Sequence, residues 1–142
     1  MTLLPPHAYV PGQTPRHAED AFDGIKATVA PGLRSDQIAQ TEAWRAGLEY
    51  LDAGFYWEAH EVLEAVWMIC PPNSVERIFV QCLIQLANAA LKRDMGRAGA
   101  ARRLFDHAQQ LERECIMSGR TKVFGLPVGF PGELRAKLDV EL

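Results

Sequence analysis

The sequence predicts an all-α protein: a bundle of four main helices in two antiparallel hairpins, with a Pro-rich N-terminal arm and an extended C-terminal strap. Three observations predict it. The nine prolines stand at 5, 6, 11, 15, 31, 71, 72, 127 and 131, so residues 32–70 and 73–126 contain none and leave room for long helices. Inside those spans apolar residues recur at spacings of three and four, and no run of Val, Ile and Thr alternates as a strand would. The chain has 142 residues, 48% hydrophobic and 23% charged, enough to bury one core without disulfides or metals to hold it.

Residues 1–34 form an arm in which His7, Tyr9 and Phe22 are scattered among turn residues. Such a segment either lies extended over the bundle or is partly disordered. The bundle occupies 35–118. Its first helix is expected from about Ser35 to Ala53, stopped by Gly54 as a C-terminal cap. The second runs from about Tyr56 to Ile69 and is ended by Pro71-Pro72. The third starts after Asn73, with Glu76 three residues on as a capping box, and continues to about Met95. The fourth spans about Arg97 to Met117, with Ala101, Leu104, Phe105, Ala108, Leu111 and Cys115 along one face. Short connections make two antiparallel hairpins. Residues 119–142 hold the strap and a short helix. In the strap, Phe124, Leu126, Val128 and Phe130 alternate with Gly or Pro, a period of two that suits an extended segment closing a groove on its own bundle.

Composition and charge exclude several functions. The net charge of −3 disfavours nucleic acid as a partner. Cys70, Cys82 and Cys115 are an odd number with no CxxC pair, which argues against a disulfide framework or a zinc knuckle and for buried thiols in a reduced compartment. The longest uncharged run, Ile78 to Leu91, is short of the roughly 20 apolar residues a bilayer requires. No signal-peptide pattern opens the chain. A soluble, cytoplasmic protein with no membrane partner is therefore expected. Residues 46–76 carry six acids and no Lys or Arg, whereas 77–122 hold nine bases against four acids. The simplest expectation is that the acidic hairpin faces the basic one.

The densest polar cluster is Trp57-Glu58-Ala59-His60-Glu61-Val62-Leu63-Glu64 on the second helix. At 100° per residue Glu58 and His60 point some 160° apart, so they cannot share a ligand. His60 and Glu64 share a face, and Glu61 sits beside Glu64. The spacing is similar to the zincin H-E-x-x-H, with Glu64 where a second His would stand, so a third ligand would have to come from elsewhere. On the third helix Arg77, Gln81, Gln85, Asn88 and Lys92 form a single polar stripe. If these amides are buried they need partners, which His60, Glu64 and Arg77 could supply. His60, Glu61, Glu64, Arg77, Gln81 and Gln85 are thus the candidate binding cluster. No Ser or Cys nucleophile is placed by the sequence, no Gly-rich phosphate loop is present, and no metal or cofactor is assigned. His7 and His17 show no spacing pattern. Trp57 and Met68, on the polar side of their helix, are expected to be covered by the arm, the strap or another subunit.

Two resemblances follow from these residues. Gly54-x4-Ala59 and Gly96-x4-Ala101 repeat at an offset of 42, and with Trp44 and Gly47 this resembles the packing of tetratricopeptide hairpins, although the period differs from that 34-residue repeat. The stretch Gly54-Phe55-Tyr56-Trp57-Glu58-Ala59-His60-Glu61-Val62-Leu63-Glu64, with Cys82-Leu83-Ile84-Gln85-Leu86-Ala87, resembles a small helical family of bacteria and archaea known as a domain of unknown function. The match covers about residues 36–112. Trp57 takes one of its aromatic positions, and Cys82 replaces its usual Gly. The resemblance implies a helical bundle, with Glu58, His60, Glu61, Glu64 and Gln85 at the motif positions, and implies no activity.

Two functional readings stand open. One is a non-enzymatic ligand-binding or protein-interaction domain, self-associating, whose polar cluster is buried beside a pocket for a small molecule. The other is a metal-dependent, hydrolase-like enzyme using His60, Glu61 and Glu64. They differ in one property: an enzyme needs an open, watered site, whereas a structural network is sealed and fully hydrogen-bonded.

Overall fold

The computed structural model describes residues 3–141, the side chain of Glu141 excepted, so residues 1–2 and 142 of the expected arm and C-terminal segment lie outside it. The fold is all-α, with a small two-stranded hairpin near its C-terminal end. The helices are α1 (Asp23–Lys26), α2 (Ser35–Ile38), α3 (Glu42–Ala53), α4 (Tyr56–Ile69), α5 (Val75–Asp94) and α6 (Ala98–Met117). Strands β1 (Lys122–Val123) and β2 (Leu126–Pro127) follow, then α7 (Phe130–Leu138) and a closing 3₁₀ turn. Helix α3 packs on α4, α4 on α5 and α5 on α6. Among the described residues no helix is long and apolar enough to cross a membrane.

The expected first helix is two helices. Thr41 takes an extended conformation (φ −73°, ψ 151°), and its hydroxyl accepts the Trp44 N–H at 3.3 Å. That capping bond starts α3 afresh three residues after α2 ends. Gly54 closes α3 with φ +86°, as its position predicts. Helix α4 matches the expected span. It stops where Cys70 turns extended (φ −70°, ψ 141°), the conformation a following proline imposes. The expected capping box of α5 is corrected. Asn73 takes the left-handed turn (φ 63°), Ser74 is the cap and accepts the Arg77 N–H, and Glu76 is freed to bond elsewhere.

The core is centred on α5, where Phe79, Val80, Cys82, Leu83, Leu86, Ala87, Ala89 and Ala90 are fully buried. Cys82 fits the tight α5–α6 contact, its thiol donating to the Ala108 carbonyl at 3.2 Å. Gly47 on α3 meets α4 face to face: a Cβ there would stand 2.4 Å from Leu63 Cδ2. The strap is a hairpin rather than a plain extended segment. Phe124 (φ 53°) and Gly125 (φ 76°) form its turn, with the Phe124 ring against Trp44 at 4.8 Å. Helix α7 then docks on α5 and α6, held by a two-pronged Arg135–Glu112 contact at 2.9 and 3.0 Å. The strap therefore closes over its own bundle.

The arm is laid on α3 and α4. Its Phe22 is buried in the core and packs edge-on to Tyr50 and Trp57. The arm also settles where the acidic charge goes: Glu58 and Glu61 pair with His17 and Lys26 of the arm, not with the basic hairpin. Glu76, in contrast, does reach a base of that hairpin, Arg120, at 3.5 Å.

Candidate functional site

Helix α4 presents two polar faces, because its carboxylates and imidazole fall on opposite borders of an apolar arc. The first carries Glu58, which is fully buried. Its Oε2 accepts the Tyr9 backbone N–H at 2.7 Å and the His17 Nε2 proton at 2.5 Å. A carboxylate only accepts, so this contact fixes the proton on Nε2. His17 is itself stacked on His7 at 4.6 Å, and His7 donates to the Pro15 carbonyl at 2.7 Å. The second Glu58 oxygen, Oε1, is buried with no hydrogen-bond partner. Trp57 lies beneath this clasp, with Tyr9 edge-on at 5.2 Å. The expected cover on Trp57 is thus the arm, whereas Met68 stays uncovered at 72% exposure.

The second face carries His60, Glu61 and Glu64. One ligand atom from each lies within 4.8 Å of the other two. His60 Nε2 is 3.4 Å from Glu64 Oε1, and His60 Nδ1 is 4.0 Å from Glu61 Oε1. Nδ1 is buried and makes no hydrogen bond. Glu61 gives its other oxygen to Lys26 of the arm at 2.7 Å. The structure corrects the expectation of a sealed network. The His60 and Glu61 side chains are 21% and 23% exposed and that of Glu64 is 51% exposed. Gln81 and Gln85 are half-buried, and among the described residues their side chains form no hydrogen bond with His60, Glu64 or Arg77. Gln81 and Gln85 instead line an open groove with Glu64, Trp67, Ile84 and Asn88, a cavity of about 210 Å³. Arg77 is farther along, its guanidinium 3.9 Å above the Trp67 ring.

The structure therefore joins His60, Glu61 and Glu64 in one cluster, sets Gln81 and Gln85 beside Glu64, and parts Arg77 from the histidine. Sequence reasoning missed Glu58 as the one fully buried carboxylate among the described residues, and with it His7, His17 and Lys26. A signal was present. Six acids without one base over 46–76 require cations from another segment, and the arm holds two imidazoles and a lysine near its turns. The cysteines offer no chemistry. Burial, aided by the Glu76 charge, pushes Cys70 up to about 11; burial and the Glu114 charge push Cys115 up to about 11; Cys82 is driven up by burial first and by Glu112 second.

Residues 44–104 match the family model described as a domain of unknown function, DUF309. That stretch includes most of α3, all of α4 and α5 and the start of α6, and leaves out the arm, the hairpin and α7. No curated protein matches the chain, and no solved structure does.

Proposed function

We propose that this chain is a ligand-binding helical domain that takes a divalent cation on His60, Glu61 and Glu64. One observation carries the reading: three ligand atoms from one helix converge within 4.8 Å, Glu64 among them lining an open groove, with His60 Nδ1 making no hydrogen bond. Donors around a bound ion stand about 3 to 3.5 Å apart, so small side-chain rotations suffice to close the set. One imidazole and two carboxylates suit Zn²⁺, Mn²⁺ or Fe²⁺ better than a soft ion. Three protein donors leave positions open for a ligand from the groove. The Lys26 ammonium on Glu61 opposes the ion, since like charges repel across a shared carboxylate. A second reading, a metal-dependent hydrolase, draws on the same groove: His60, Glu61 and Glu64 would hold an ion that could activate a water, and the groove lined by Glu64, Gln85 and Asn88 would take a substrate.

The test is metal content by mass spectrometry after incubation of the full chain with Zn²⁺ or Mn²⁺ and desalting. One ion per chain is expected, lost in His60→Ala and in Glu64→Gln. Lys26→Met is expected to bind about five- to tenfold more tightly. Metal-free protein under all conditions, with His60→Ala only less stable, would overturn the proposal. The hydrolase reading stands only if the loaded protein cleaves an ester or phosphoester and His60→Ala does not.

A further inference from the structure

The groove beside the cluster runs past Glu64. The cavity at Glu64 shares Trp67 and Gln81 with a larger one of about 470 Å³ that reaches Arg77 and Leu111. Three features of this groove are unexplained by the fold. Arg77 makes one long side-chain hydrogen bond, to the Cys70 carbonyl at 3.5 Å, and among the described residues it has no acidic partner. Trp67 lines both cavities, and its indole N–H is buried without an acceptor. Gln81, Gln85 and Asn88 repeat along one face of α5, half-buried and without side-chain hydrogen bonds among the described residues. Together, a guanidinium flat on an aromatic ring with one long hydrogen bond, an indole N–H without an acceptor and a row of amides whose N–H groups are not donated offer donors that an oxyanion can satisfy.

We propose that the groove binds a small organic oxyanion, a carboxylate or a phosphoryl group, with Arg77 and Trp67 gripping one end and the amides the middle. The planar guanidinium offers two parallel N–H donors to such a group, and its stacking on Trp67 already holds it in place. Glu64 and Glu114 also line the groove and oppose an anion. The oxyanion therefore sits at the Arg77 end, and a cation at His60, Glu61 and Glu64 offsets the nearer carboxylate. The coupling to the cation rests on the function proposed above; the Arg77 end does not.

Succinate and methylphosphonate, titrated separately into the full-length protein by calorimetry with and without saturating Mn²⁺, test this. At least one is expected to bind one to one, more tightly with Mn²⁺. Arg77→Met, which keeps the stem on Trp67, should weaken it at least tenfold. Trp67→Phe, which keeps a ring and removes the N–H, should weaken it severalfold. Arg102→Met, exposed on α6, should change it less than twofold, and thermal melts check that each variant is folded. The preferred probe tells carboxylate from phosphoryl recognition. No saturable binding of either probe, or an equal loss in Arg102→Met, overturns the inference. If Mn²⁺ does not bind, the cation reading fails alone, and Arg77-dependent binding in metal-free protein still supports the oxyanion site.

Discussion

At the scale of single residues, small side chains decide how closely the helices approach. Gly47 is the sharpest case, because its backbone conformation is ordinary helix and only space forbids a side chain. A Cβ at 2.4 Å from Leu63 Cδ2 must push either the leucine or the whole helix away. Gly47→Ala is therefore expected to destabilise the protein by about 1–3 kcal/mol, even though alanine is the better helix former. The check is a lower urea midpoint at unchanged slope. Cys82 belongs to the same scale. Its thiol is wholly buried and donates to the Ala108 carbonyl, so it fills the close contact between α5 and α6. Glu76 adds a charge effect. Burial works to raise its carboxyl, but the Ser35 hydroxyl, its own backbone N–H and Arg120 outweigh this and hold it below the usual value. A carboxyl lowered on folding contributes stability above its unfolded value, and that stability is lost as pH falls through the folded value. Glu76→Gln should thus flatten the loss of stability on acidification below the ordinary carboxylate range, as thermal melts across that range would show.

Among the elements, α4 does most of the functional positioning and the arm most of the covering. Glu58 and Glu61 stand three apart and the arm engages both, through His17 and Lys26. Removing the imidazole leaves a buried carboxylate with a single backbone donor, which is costly. His17→Ala is expected to lower stability by about 3 kcal/mol and to free the arm, seen as faster tryptic cleavage at the exposed Arg16. An unchanged cleavage rate would mean that Phe22 and Tyr9 hold the arm without the histidine. The helix boundaries follow local rules where a single residue dominates, as at Gly54 and at Cys70 before Pro71. They depart where two residues compete. Thr41 outbid continuation of one helix from Ser35, and Ser74 displaced Asn73 as the cap of α5, because each supplies a hydroxyl to an N–H three residues on.

For the whole molecule, one core around α5 is closed by the arm on one side and by the hairpin with α7 on the other. All three thiols are buried. Burial raises each of them well above neutral pH, so the folded protein presents no thiolate. At mildly alkaline pH a thiol reagent should find no reactive cysteine in the native state and all three after denaturation. Release of Cys115 well before the others would mean that the end of α6 opens separately from the bundle.

The sequence by itself determined the helical class, the two hairpins, the bounds of α4 and the shared face of His60, Glu61 and Glu64. These follow from proline placement and the 3.6-residue repeat, which act over one or two turns and need no knowledge of neighbours. Only the tertiary structure decided that Glu58 is fully buried, that His17 and Lys26 come back from more than thirty residues away to meet α4, and that Gln81 and Gln85 face an open groove. Burial and charge pairing depend on which segment lies on which face. That is set by long-range packing, which local periodicity does not encode.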